Sequence, residues 1–524
     1  MGDETASESG EDPEVTPVPE AGLPGSDQTE PRSPGESAFD PVRLTLLAMV
    51  VAWSVLFILL TSLRHDRFGT FGFDLGIYDQ GIWLTSRLHD PFVTVRGIDL
   101  YGHHFNVVFL LFAPFYWLGA GPHFLLAVQV VAQASGAVAV YLLARDRFDG
   151  ARWLAVAMAA VLLLNPTYQY LAWEFFHPDA LSIAPLLFAY WAAREKRWGW
   201  FAVAGSLAII CKEDVALALF VIGALVWFRG DRRIGALVAG LSAAWFMLAT
   251  RVFIPAFNGI GPFYDSFFGE FGDGPGEVVK NVLTRPGQVW ETATRQDRTS
   301  YYWRMGAPFA FVFLAAPRAL LVGAPMFAVN VLTSFPYARD PRFHYASLVL
   351  VGITVATVEA IAALGRDSAT RGFLVGVVLA ASLATSILWG AAPWSVDYDR
   401  GIWPLRTDAR NEVKAEAVDL IPTRAPTSAI YNLVPHLTHR DRIYEFPVPW
   451  CNVNWGVRGE NLDDPAGVEW IAVDVNLLGA ADRRLLDDLL EREFEVRLDS
   501  EGILVAERVS PTGDPAVACL SAGG

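Results

Sequence analysis

Residues 44–80 read LTLLAMVVAWSVLFILLTSLRHDRFGTFGFDLGIYDQ. The stretch Leu44–Leu63 carries no charge, and about 20 apolar residues is what a helix needs to cross the hydrocarbon of a bilayer. Polarity then returns at once, with Arg64, His65, Asp66 and Arg67, followed by two aspartates, Asp74 and Asp79. Upstream, residues 1–42 hold eleven acids against one base, Arg32, with many Pro, Gly and Ser. Such a segment buries too little apolar surface to offset its ordering entropy, so a disordered acidic tail is expected. No small-residue cleavage site follows the apolar run, which therefore reads as a retained span and not as a signal peptide.

Working outward, the rest of residues 43–392 continues in the same style. Further apolar spans lie near 123–144, 153–170, 180–193, 198–211, 215–228, 234–254, 305–316, 319–333, 344–364 and 372–392, making about eleven. The short connections RDRFDGAR (145–152), REKR (194–197), RGDRR (229–233), PR (317–318) and GRDSATR (365–371) are rich in arginine. By the positive-inside rule they face the cytoplasm, together with the N-terminus. The loops 64–122 and 255–304 and everything after the last span then lie outside. Phe105–Leu118 is apolar but short and contains Pro114, so it reads as an interfacial or re-entrant helix.

Composition agrees with a membrane protein: 53% of the 524 residues are hydrophobic, only 18% are charged, and mean hydropathy is +0.32. A net charge of −16 argues against a nucleic-acid partner. Residues 393–524 change character. SAIYNL, RIYEF, EWIAVDV and FEVRL with GILVAER have the pattern of strands, while NEVKAEAVDLI and AADRRLLDDLLEREF have helical spacing. The expected fold is thus an α-helical polytopic membrane protein with a C-terminal soluble α/β domain. Three cysteines exclude a disulfide scaffold, and an outside location permits one bridge, Cys451 to Cys519.

The ionisable residues that could carry chemistry gather on the expected outer side. Asp74 and Asp79 are five apart, about 140° round a helix, so in a helix they cannot aim at one point. Asp74 is a candidate catalytic carboxylate or simply a helix cap. His103 and His104 follow in the same loop as candidate substrate-binding groups. In WEFFHPDALS, Glu174, His177 and Asp179 could hold a divalent metal ion or orient a phosphate, unless Pro178 and Asp179 merely begin a helix. Lys212, with Glu213 and Asp214, interrupts apolar sequence, where charges line a polar cavity or pair with one another. In SFPYARDPRFHYASL, Arg339, Arg342, His344 and Tyr345 offer phosphate-binding groups, the alternative being a surface Arg339–Asp340 pair.

FDLGIYDQ, EFFHPD, CKED, RFHYAS and SAIYNLVPHLTHRDRIYEFP together resemble a bacterial and archaeal membrane family of unknown function. That family is placed in the GT-C glycosyltransferase superfamily, alongside protein mannosyltransferases and lipid-A aminoarabinose transferases. The resemblance covers roughly residues 43–510. It implies a GT-C-like membrane domain and transfer of a sugar from a polyprenyl-phosphate donor to an envelope glycan or protein acceptor. The implied place is the outer face of the plasma membrane. It also implies that Asp74 acts as general base or organises the acceptor. Many relatives carry two adjacent acids at this point, whereas Leu75 follows Asp74 here, so the second acid is Asp79 or comes from elsewhere. Some relatives use a divalent metal. A transporter or flippase of lipid-linked sugars, and a non-catalytic envelope scaffold, are the competing readings.

Overall fold

A computed structural model of the chain describes residues 40–259, 261–262, 267–451 and 461–510. The acidic segment 1–39 and Cys519, the expected partner of Cys451, lie outside the described residues. Cys211 is a free, buried thiol.

The first span forms as read. Pro41–Asp66 is one helix of 26 residues, about 39 Å at 1.5 Å per residue. Leu44, Leu47, Val51, Val55 and Leu59 stand exposed along one side, while Trp53, Phe57 and Leu60 are buried on the other. Large apolar side chains exposed in a row suit a hydrocarbon surround. Among the described residues, five helices are long and apolar enough to cross a membrane: Pro41–Asp66, Pro122–Arg147, Arg232–Asn258, His344–Leu364 and Ser368–Trp389. A sixth crossing is available if the pair Arg152–Leu164 and Pro166–Trp173, bent by 49°, counts as one. Trp198–Ile209, Val215–Phe228 and Pro317–Leu332 are shorter apolar segments.

Two breaks have clear local causes. Pro166 lacks the N–H that would continue the helix, and Asn165 caps the new one by accepting from Tyr168 N–H at 3.3 Å. The freed carbonyls are taken up by neighbours: Trp53 Nε1 donates to Leu163 O at 3.0 Å and Gln169 Nε2 to Leu164 O at 3.2 Å. The expected span 305–316 is not a continuous helix. Gly306 and Pro308 interrupt it, and Ala307–Phe309 and Val312–Ala315 are 3₁₀ turns joined through Ala310 and Phe311 at positive φ.

Three of the arginine-rich connections meet at one end of the bundle. Arg147 and Arg194 both meet Glu359 at 2.9 Å, late in the helix Ser347–Leu364, and Arg371 meets Asp149 at 3.0 Å. His344 lies just before the opposite end of that helix. Fifteen residues separate His344 from Glu359, which at 1.5 Å each places them about 22 Å apart.

Past the last long helix the chain forms a five-stranded mixed sheet. Its strands follow a two-stranded hairpin in the first loop, β1 (Phe92–Val93) and β2 (Ile98–Asp99). The sheet strands are β3 (Thr427–Ala429), β4 (Ile443–Glu445), β5 (Trp470–Asp474), β6 (Phe494–Ser500) and β7 (Ile503–Arg508), ordered β4-β3-β5-β7-β6. Strands β4, β3 and β5 run parallel, and β7 is antiparallel to both β5 and β6. The expected helices appear at Ala409–Leu420 and Ala480–Arg492. The sheet shares its apolar core with the first loop: Leu75, Ile77, Ile82 and Leu100 pack in one cluster with Ala429, Val434, Ile443 and Ile471. Thr94 Oγ1 donates to Ile443 O at 2.6 Å and accepts from Ile443 N–H at 2.9 Å.

Candidate functional site

The site is built around a tight turn, Gly72–Gly76, that opens the first loop. Phe73 is extended and Asp74 adopts φ +73°, ψ −89°, a conformation that costs about 1–3 kcal/mol for a residue with a side chain. The C-terminal sheet holds this turn in place. Gly72 N–H donates to Tyr431 O at 2.7 Å, and Phe73 N–H donates to the Glu445 carboxylate. Asp74 is thereby presented with its carboxylate about a third exposed, Oδ1 3.4 Å from His177 Nε2.

His177 sits on the linker between Pro166–Trp173 and Pro178–Arg194. Gln129, from the helix Pro122–Arg147, organises that linker: its Nε2 donates to Leu171 O at 2.7 Å and also to Phe175 O, and its Oε1 accepts from His177 N–H at 2.6 Å. His344 approaches from the other side, its ring stacked on His177 at 3.9 Å, with Nδ1 2.8 Å from Glu174 Oε1. One ligand atom from each of Glu174, His177 and His344 lies within 4.8 Å of the others. Both His177 ring nitrogens and Glu174 Oε2 are buried without a hydrogen-bond partner. Close-set buried imidazole and carboxylate ligand atoms are what a divalent-cation site needs, so this donor set fits one. Burial, with Asp74 and Asp179 nearby, holds the Glu174 carboxyl well above the ordinary range.

A second polar group lies beside the first. Lys212 Nζ, buried, donates to Asp179 Oδ1 at 3.0 Å and lies 3.4 Å from Asp214 Oδ2. Burial opposes the charge on Lys212, but Asp179, Asp214 and Glu213 outweigh it and raise the ammonium pKa well above its usual value. His104 Nδ1 is 2.7 Å from Glu213 Oε1. His103 is buried, its pKa held low first by burial and then by His104, Arg96 and Lys212.

The structure therefore brings Asp74, Glu174, His177, His344, Lys212 and the His103–His104 pair to one end of the bundle. Tyr345 lies beside His344, ring centroids 4.0 Å apart, and its carbonyl accepts from Asn330 Nδ2 at 2.8 Å. Asp179 pairs with Lys212 instead of joining the Glu174–His177 group. Asp79 is fully buried and points elsewhere, accepting from Tyr116 Oη at 2.6 Å and Thr438 Oγ1 at 2.5 Å, with His439 Nε2 at 3.1 Å. Arg339 is tied to Asp297 at 2.8 Å and to Thr333 O at 2.7 Å, and Arg342 forks onto Asp340.

One residue at the site escapes a sequence reading. Glu445 reaches the Asp74 turn from β4. Its Oε2 is enclosed without a partner, and burial with Asp74 nearby raises its pKa to about 7. The alternation of RIYEF marks a strand, but no spacing links it to FDLG.

Residues 64–505 match the family described as "Predicted membrane protein (DUF2079)". No curated protein matches. Among solved structures, ArnT from Cupriavidus metallidurans bound to undecaprenyl phosphate is similar at 16% identity, over 88% of this chain and 98% of that one, with a TM-score of 0.49. The Archaeoglobus fulgidus oligosaccharyltransferase in complex with Zn and sulfate shares 14% identity over 88% and 73%, at 0.35. AglB from the same organism, with an inhibitory peptide and a dolichol-phosphate, shares 13% over 83% and 70%, at 0.36. With the family match running from the end of the first span through the last strand, the chain belongs to the DUF2079 family of multi-pass membrane proteins.

Proposed function

We propose that the protein is a membrane glycosyltransferase that moves a sugar from a polyprenyl-phosphate donor to an envelope acceptor, working at the outer face of the plasma membrane. The observation that supports it most is the placement of Asp74, partly exposed and 3.4 Å from His177, at the edge of a cluster of buried His, Glu and Lys side chains. In this reading Asp74 takes the proton of the acceptor hydroxyl as that oxygen bonds to the sugar C1. The C1–O bond to the lipid phosphate breaks, and its electron pair leaves with the phosphate. A positioned base contributes typically about 10²–10⁴-fold. Lys212, His103 and His104 provide a polar wall for the donor phosphate. Glu174, His177 and His344 would hold a divalent cation, which when bound neutralises charge on the departing phosphate. The arginine-bearing ends of three connections and this cluster lie at opposite ends of the helix Ser347–Leu364, which by the positive-inside rule supports an outward-facing site.

Comparative mass spectrometry of envelope glycans tests the reading, using a deletion strain complemented with wild type or Asp74→Asn at equal membrane levels. The expected result is loss of a glycan on deletion, restored by wild type alone. Full restoration by Asp74→Asn would overturn the role of Asp74 and move transport or scaffolding ahead. Metal content is a separate readout: the purified protein should carry a divalent ion that Glu174→Gln and His344→Ala each release.

A further inference from the structure

Next to the cluster, at the same end of the bundle, lies a cavity of about 320 Å³. Its lining includes Arg304, Arg342, Arg400, Tyr170, Asp397 and Trp389. Tyr170 stands one helical turn before Glu174, and Arg342 two residues before His344, so the cavity neighbours the cluster. Two of the three arginines already have partners: Arg342 forks onto Asp340, and Arg400 meets one oxygen of Asp397 at 3.0 Å, whose other oxygen accepts from Tyr170 Oη at 2.7 Å. Arg304 makes no ion pair among the described residues. Trp389 Nε1–H is buried without a partner. Buried donors are almost always paired in native proteins, and the Trp389 side chain lines a space that can take about ten waters, at roughly 30 Å³ each. Donors exceed acceptors, and positive charge exceeds negative.

We propose that this cavity is an anion-binding subsite that takes the phosphate or carboxylate of a saccharide ligand. Arginine forks match both groups bidentately. The Trp389 indole lines the same space, and the volume admits a monosaccharide bearing the charge. The subsite is a claim about binding, so it stands or falls separately from the role of Asp74.

Isothermal titration calorimetry on the full chain, purified in a neutral maltoside detergent, tests it with three probes: inorganic phosphate, glucuronate and glucose. The expected outcome is binding of a charged probe at one site, with glucose silent. Arg304→Ala and Arg400→Ala should each weaken that binding tenfold or more, and Trp389→Phe, which keeps the ring and removes only the N–H, should weaken it measurably. Phosphate binding alone identifies a phosphate ester as the ligand group, and glucuronate binding alone identifies a carboxylate; either supports the subsite. Silence of both charged probes, or affinity unchanged in both arginine variants, overturns it. A failed Asp74→Asn glycan assay combined with arginine-dependent binding would reject the transfer reading and keep the subsite.

Discussion

Asp74 sits at φ +73°, and two neighbours from the C-terminal sheet explain how that turn persists. A Cβ on Gly72 would come within 2.8 Å of Val434 and 3.0 Å of Glu445 Oε2. Gly72→Ala should therefore displace the turn and cost about 1–3 kcal/mol, the usual range for overpacking. Thermal unfolding checks the stability, and the glycan assay should show reduced restoration at equal expression. His436 makes a different prediction. It stacks on His65 at 4.2 Å, near His123 and Lys414, and burial followed by His123 pushes its pKa down to about 3. The unfolded side chain titrates near 6.5, so the unfolded state binds the proton first as pH falls. Stability is full above about 6.5 and declines towards 3. His436→Phe keeps the stack and removes this titration, so its melting temperature should fall less than the wild type's between pH 7.5 and 5.

Single elements are shaped by what replaces a missing backbone bond and by how closely two helices approach. Gln169 serves the first need: besides Leu164 O it bonds Ser386 Oγ at 2.9 Å and accepts from the Ala391 and Ala392 N–H groups at 3.1 Å. Replacing it with leucine leaves several buried polar groups unpaired, at about 1–3 kcal/mol for each group left so. Gln169→Leu should lower the melting temperature in detergent markedly, where Gln296→Leu at the exposed start of the helix Gln296–Gly306 should not. Gly223 and Gly235 serve the second need. A Cβ at Gly223 would lie 2.6 Å from Ala239 N, so the hairpin Val215–Phe228 with Arg232–Leu248 depends on bare backbone at the crossing. Gly223→Leu should separate these helices, and cysteine pairs placed across the crossing should lose their cross-linking.

At the scale of the whole molecule, the sheet is a wall of the site and not an appendage. Gly72, Gln80, Asp79 and Thr94 of the first loop all bond to residues between Tyr431 and Ile443. Truncation after residue 392 strips those partners away. It leaves Asp79 without Thr438 and His439 and exposes the apolar surface of Leu75, Ile77 and Ile82. The truncated protein should reach the membrane with loop 64–122 open to added protease, while the full chain resists cleavage there.

Much of this architecture is legible in the linear chain. Uninterrupted apolar runs, such as Leu44–Leu63, name their own environment, because burying about 20 consecutive apolar residues in hydrocarbon is favourable whatever the neighbours do. The short continuous apolar run in EWIAVDV, buried along all of Trp470–Asp474, and helical spacing in AADRRLLDDLLEREF likewise report local geometry. The broken segment after Gly306 was less legible, since hydropathy counts apolar residues and ignores whether glycine and proline let them form one helix. The site lay further from reach. EFFHPD contains Glu174 and His177, but only packing swaps Asp179 for His344 and gives Asp179 to Lys212. Asp79 looks as available as Asp74 in FDLGIYDQ, and only the fold buries one beneath Tyr116 and Thr438 while leaving the other at the rim. Glu445 joins the turn at Asp74 from a remote strand. The sequence by itself thus determined the solvent of each segment and its secondary structure, both set by nearest neighbours along the chain. The tertiary structure alone decided which carboxylates share a cavity, because that depends on contacts between segments far apart in the chain.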